Sequence, residues 1–173
     1  MPVSVSDELV EGTVFRLARV TDQFPKNSPK PLAELFRPST DERRIAEATR
    51  ASIRLSVFNA ARTAIGQARN MRRADGETVP FALLVEKIRE FEIPGASRNL
   101  RVIPDPFAEI KLPNQPDLAR LQSDLARMAL MPGAAGHCGI EGLGDDLCID
   151  KRDRRNLRAM LRKIAFRLPD DGV

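Results

Sequence analysis

The sequence predicts an α+β domain, a single compact unit in which a small mixed β-sheet is covered by four or five helices. Three observations carry this reading. Alternating or β-branched segments near 13–20, 53–58, 100–103 and 137–149 are interleaved with segments of helical spacing. The 173 residues are 42% hydrophobic and 30% charged, which suits one soluble domain able to hold itself together without disulfides or metal. No internal repeat or low-complexity tract divides the chain, so 1–173 reads as one domain.

The first strand is Thr13-Val14-Phe15-Arg16-Leu17-Ala18-Arg19-Val20, with Gly12 before it. Phe15 and Leu17 share one face, and Arg16 lies on the other between Val14 and Ala18. Pro25, Pro29, Pro31 and Pro38 then make 22–38 a proline-rich extended arm or loop, which Leu32, Leu35 and Phe36 can anchor on the domain. Ser39-Thr40-Asp41-Glu42 has the pattern of a capping box, so a short helix follows over about 41–50. In the next strand Ile53, Leu55 and Val57 alternate. A helix over about 60–73 is predicted by Ala61, Ala64, Ile65, Ala68 and Met71.

Thr78-Val79-Pro80 reads as a helix entry, with Phe81, Leu84, Val85, Ile88 and Phe91 along one face of a helix over 80–91. Residues 99–103 form a short strand closed by Pro104-Asp105-Pro106. A helix then starts near Asn114–Asp117 and buries Leu118, Leu121, Leu125 and Met128. His137 to Leu143 is a glycine-containing strand onto which Leu147-Cys148-Ile149 can pair back. The strongest helical signal is the basic amphipathic C-terminal segment 152–168, with Leu157, Met160, Leu161, Ile164, Ala165 and Leu168 inward.

No positively charged and apolar leader opens the chain and no apolar run approaches a membrane span, so the expected compartment is the cytoplasm, with no membrane partner. Two cysteines suit a reducing compartment. The net charge of +4 is unevenly placed: 41–75 and 147–173 each carry eight bases against four acids, while 114–146 is acidic. Arginine outnumbers lysine 22 to 6; a GC-rich genome explains much of this, and guanidinium recognition of phosphate and carboxylate is the functional alternative.

His137, Cys138, Glu141, Asp145, Asp146 and Cys148 make the tightest cluster of reactive types. No metal site is expected there, because nine residues separate the two cysteines and structural zinc favours close thiolate pairs. A thiol enzyme centred on His137, Cys138 and Cys148 is one reading, although neighbouring residues of a strand point to opposite faces, which separates His137 from Cys138. Asp145-Asp146 and Asp170-Asp171 fit turns and a solvated tail. No phosphate-binding glycine loop and no calcium loop are present, and no cofactor is expected.

The basic segments supply Arg155, Arg158, Arg162 and Lys163 from the last helix and Arg69, Arg72 and Arg73 from the earlier one. The leading expectation is a non-catalytic adaptor or accessory subunit of a bacterial-type cytoplasmic assembly, whose arginine-rich helices meet an acidic protein partner. A nucleic-acid-binding accessory protein, gripping phosphates through the last helix, is the alternative, though the chain has no Trp or Tyr to stack on bases. Phe15-Arg16-Leu17-Ala18-Arg19 invites comparison with ADP-ribosyltransferases, which place an arginine on an early strand; the later acidic strand that would complete the comparison is not found, and no family is assigned.

Overall fold

A computed structural model of the chain describes residues 10–20, 28–72 and 76–169. Residues 22–27 of the expected arm, the candidate Arg73 and the Asp170-Asp171 pair lie outside the described residues. In chain order the elements are β1 (Thr13–Arg19), α1 (Thr40–Thr49), β2 (Arg54–Asn59), α2 (Ile65–Met71), β3 (Thr78–Leu84), α3 (Val85–Ile88), β4 (Glu92–Ile93), β5 (Arg98–Asn99), β6 (Arg101–Pro104), α4 (Ala119–Ala129), β7 (His137–Glu141), α5 (Lys151–Ile164) and β8 (Phe166–Arg167). The α+β class is as the sequence predicts.

One six-stranded sheet has the order β6-β7-β2-β1-β3-β8, and β4 and β5 form a separate hairpin. Every pairing is antiparallel, which corrects the expectation of a mixed sheet. The reason lies in strand order. β2 and β3 are each antiparallel to β1, hence parallel to one another, but β1 stands between them and no parallel ladder forms.

Strand alternation sends side chains into two cores, one on each side of the sheet. Val14, Ala18, Leu55, Val57, Phe81, Cys138 and Ile140 pack with Leu157 and Leu161 of α5, with Val85 and Ile88 of α3, and with Leu35 and Phe36 of the 3-10 turn Ala33–Phe36. Phe15, Leu17, Phe58 and Ala82 enter the other core with Ile65, Ala68 and Met71 of α2, Leu121 and Leu125 of α4, and Phe107. The described part of the proline-rich segment thus packs on its own domain. Lys30 Nζ donates to the carbonyls of Lys163 and Ala165, and Arg162 Nε to that of Pro31.

Four elements depart from expectation. The helix expected over 80–91 is the strand β3 followed by the single turn α3. Thr78–Leu83 is buried on both faces, so its continuous apolar run imitates a buried helical stripe. Pro80 is tolerated because its carbonyl accepts from Leu168 N, which turns its N atom, lacking a hydrogen, toward the thinly paired β8 edge. The helix expected over 152–168 ends at Ile164; Phe166 and Arg167 leave it to pair with Ala82 and Phe81 on the otherwise open edge of β3. The expected hairpin over 137–149 is one strand only, because β7 already has β2 on one side and β6 on the other, and Cys148 lies beyond it in irregular structure. The helix expected over 60–73 is shortened to α2: Arg62 and Thr63 amides close a turn onto the Asn59 carbonyl, and the side chain of Gln67 caps the amide of Ala64.

Candidate active site

β1 is paired with β3 at all seven of its positions, Thr13 to Arg19, but with β2 only at Val14↔Asn59 and Phe15↔Phe58. Beyond Phe15 the two central strands part, and backbone groups that a ladder would have satisfied need other partners. Side chains supply them. Arg16 NH1 donates to the Ser56 carbonyl at 2.7 Å while its Nε donates to the Leu35 carbonyl at 2.8 Å. The Ser56 amide donates to the Glu42 carboxylate. Arg72 NH1 donates to the Leu17 carbonyl at 2.8 Å.

The capping box at the start of α1 forms as the sequence predicts, with the Ser39 amide on Glu42 Oε1 and the Glu42 amide on Ser39 Oγ. This aims Glu42 Oε2 into the gap, 3.6 Å from Arg16 NH1. Arg16 and Glu42 are both nearly buried, and buried charges are tolerated when they are paired and hydrogen-bonded. Burial lowers the proton affinity of Arg72, as do the positive charges of Arg16 and Arg19; Glu42 opposes them, and the pKa settles at about 10.

On the adjoining strand β7, His137 faces the same gap. Its Nδ1 donates to the Asp105 carbonyl at 2.5 Å, since a carbonyl can only accept. That leaves the lone pair on Nε2, to which the Ser56 hydroxyl donates. Phe107 stacks on the imidazole with centroids 4.0 Å apart, and Phe58 meets it edge-on at 5.7 Å. Burial pushes the His137 pKa below its ordinary value, outweighing the Asp105 charge and keeping the ring neutral at pH 7. Gly139, two residues along, gives room for Arg54 to lie across β7 and reach Asp105 at 3.2 Å; a Cβ there would stand 2.7 Å from Arg54 Cβ.

These groups line a cleft of about 570 Å³ between the sheet and the helices α1 and α4, within the size range of small-molecule sites. The lining combines the polar Arg16, Arg72, Glu42, Ser56 and His137 with the apolar Ile45, Phe58, Met71, Phe107 and Ile110.

The candidates named from the sequence are scattered. His137 is in the cleft. Its neighbour Cys138 points to the opposite face, where Sγ contacts the Gly136 carbonyl within the first core, and burial pushes its thiol up to about 12. Cys148 is buried in that same core and its thiol is also pushed up by burial. The structure therefore joins the imidazole to a serine hydroxyl, not to a thiol. Both cysteines are free. Arg72 reaches the cleft, whereas Arg69 is turned to Thr78, its Nε on Oγ1 and its NH2 on the carbonyl.

Arg155 and Lys163 are exposed on α5, Arg158 is half-buried near Glu34 and Arg37, and Arg162 is bonded to Pro31. Because α5 packs in the first core and α2 in the second, the two basic helices lie on opposite sides of the sheet. Among the described residues no three His, Cys, Asp or Glu side chains form a metal-holding group, and no helix is long and apolar enough to cross a membrane.

Ser56, Glu42 and Asp105 were not among the sequence candidates. Ser56 reads as the polar side of an alternating strand and Glu42 as a cap. The one local signal was Arg16, a charge set in an otherwise apolar strand. Comparison with known proteins finds no matching family model, curated protein or solved structure.

Proposed function

We propose that the protein is an enzyme acting on a phosphate-bearing small molecule of nucleotide type, held in the cleft where β1 and β2 part. The observation that carries this reading is the interrupted ladder itself. A sheet gives up pairing at its centre and takes in Arg16, Glu42 and Arg72, a costly arrangement of the kind found at functional sites. Arg16 and Arg72, set against the one carboxylate of Glu42 in the gap, favour an anion, and the apolar lining of Ile45, Phe58, Met71 and Phe107 favours a ring attached to it. An anionic group joined to a planar ring describes a nucleotide, so ADP-ribose, NAD and ADP are the first probes.

The sequence also offers an adaptor that meets an acidic partner through its arginine-rich helices, and a nucleic-acid-binding protein that grips phosphates through the last helix. The placement of α2 and α5 on opposite sides of the sheet, with Arg69 and Arg162 bonded to the domain's own chain, favours the cleft over a face that joins both helices.

Thermal unfolding with ADP-ribose, NAD, ADP and inorganic pyrophosphate tests the proposal. A ligand at about a hundred times its Kd stabilises the fold by about 2.7 kcal/mol, so the melting temperature rises with its concentration. A nucleotide is expected to outperform pyrophosphate, because the apolar lining contributes only to the former. No shift with any of the four at millimolar concentration overturns the reading.

A further inference from the structure

We propose that Ser56 is a nucleophile, with His137 as its general base, toward a phosphoryl group bound in the cleft. The proposal rests on the cleft being the substrate site, and it adds a reaction centre to it. Three polar groups of one residue are held by three different elements. The Ser56 amide is on Glu42 of α1, its carbonyl on Arg16 of β1, and its hydroxyl on His137 of β7. Fixing both backbone groups holds the Cα–Cβ bond in place and the His137 bond sets the rotation about it, so the hydroxyl is oriented before any substrate arrives, which is how an enzyme avoids reorganisation at the moment of reaction.

The imidazole is set up for the same task. The Asp105 carbonyl accepts a hydrogen bond from Nδ1–H and so dictates the tautomer whose Nε2 lone pair can receive the Ser56 proton. Phe107 and Phe58 hold the ring plane. Ser56 is half-buried and lines the cleft.

The chemistry balances with water as the only co-reactant. Oγ attacks phosphorus; the Oγ–P bond forms as the bond from phosphorus to the leaving oxygen breaks. The hydroxyl proton passes to His137 Nε2 and then to the leaving oxygen. Water then attacks the phosphoserine, gives a proton to Nε2, and that proton returns to Oγ as the P–Oγ bond breaks. Arg16 on the Ser56 carbonyl and Glu42 on the Ser56 amide form an ion pair 3.6 Å apart beside the step, and Arg72 adds a positive charge to the cleft lining.

The test is intact mass spectrometry after treatment with diisopropyl fluorophosphate, followed by peptide mapping. The native protein is expected to gain one adduct on Ser56, Ser56→Ala none at that position, and His137→Gln to react about a hundredfold more slowly or worse, as expected for loss of a positioned base. The urea-unfolded wild-type chain provides a comparison that needs no variant: it should leave Ser56 unmodified. No adduct on the native protein, an adduct elsewhere alone, or an adduct on Ser56 that forms equally fast in the unfolded chain or in His137→Gln overturns the proposal. Labelling does not depend on nucleotide binding. Ser56 modification without any nucleotide-induced stabilisation would leave the nucleophile standing and remove only the nucleotide; stabilisation without modification would do the reverse.

Discussion

His137 shows how one residue ties the site to the fold. The neutral ring bonds to Ser56 and Asp105 inside an almost closed space, so protonation there is resisted while the unfolded chain takes the proton near pH 6.5. The sign follows from linkage: where the unfolded state binds more protons, stability falls as pH falls. From pH 6.5 down toward 5, this group is expected to remove up to about 1.4 kcal/mol per pH unit. Urea unfolding at pH 7.5, 6.5 and 5.5 should show that loss, and His137→Gln should flatten it. At this scale the sequence was informative about what His137 and Cys138 cannot do together, because alternation separates neighbours on any strand. It was silent on Ser56, whose partner is 81 positions away. No local pattern encodes a hydroxyl and an imidazole brought together by the second and seventh strands.

At the scale of elements, what could be read was what forms locally. The Ser39–Glu42 box begins α1 as its four residues predict, and Asp150 caps α5 by accepting from the Arg152 and Asp153 amides. What could not be read was decided by neighbours. Residues 78–84 become a strand because β1 offers seven positions of pairing, and 166–167 leave their helix because β3 has an open edge. The two functions of the α1 terminus can be separated by mutation. Ser39→Ala removes a cap and should cost about 1 kcal/mol. Glu42→Gln keeps the shape but strips the negative charge facing buried Arg16, and should cost about 3 kcal/mol or more. Chemical denaturation of both variants checks the order; equal costs would mean that the carboxylate in the gap contributes no more than the cap.

For the whole molecule, the class and the single domain were legible because two strand periods and several helical stripes alternate along a chain of ordinary composition. The sheet order was not, and the order creates the site. β6, β7 and β2 make one wing, and β1, β3 and β8 the other; the wings share two registered pairs at one end. Amide exchange should reflect this. The Ser56 amide, which donates to the Glu42 side chain, is expected to exchange faster than the amides between β1 and β3, which the full ladder protects. Exchange measured by NMR checks it, and equal protection would show the junction to be as rigid as the ladder.

A sheet fastened at one corner has a compliance that an unbroken one lacks. At the open end the junction between the wings is bridged by side-chain bonds of Arg16 and Glu42 where a backbone ladder would otherwise run, while both cores still span it. The mouth of the cavity is thus bounded there by side chains, which substitution can change one at a time without removing a rung from any strand pairing.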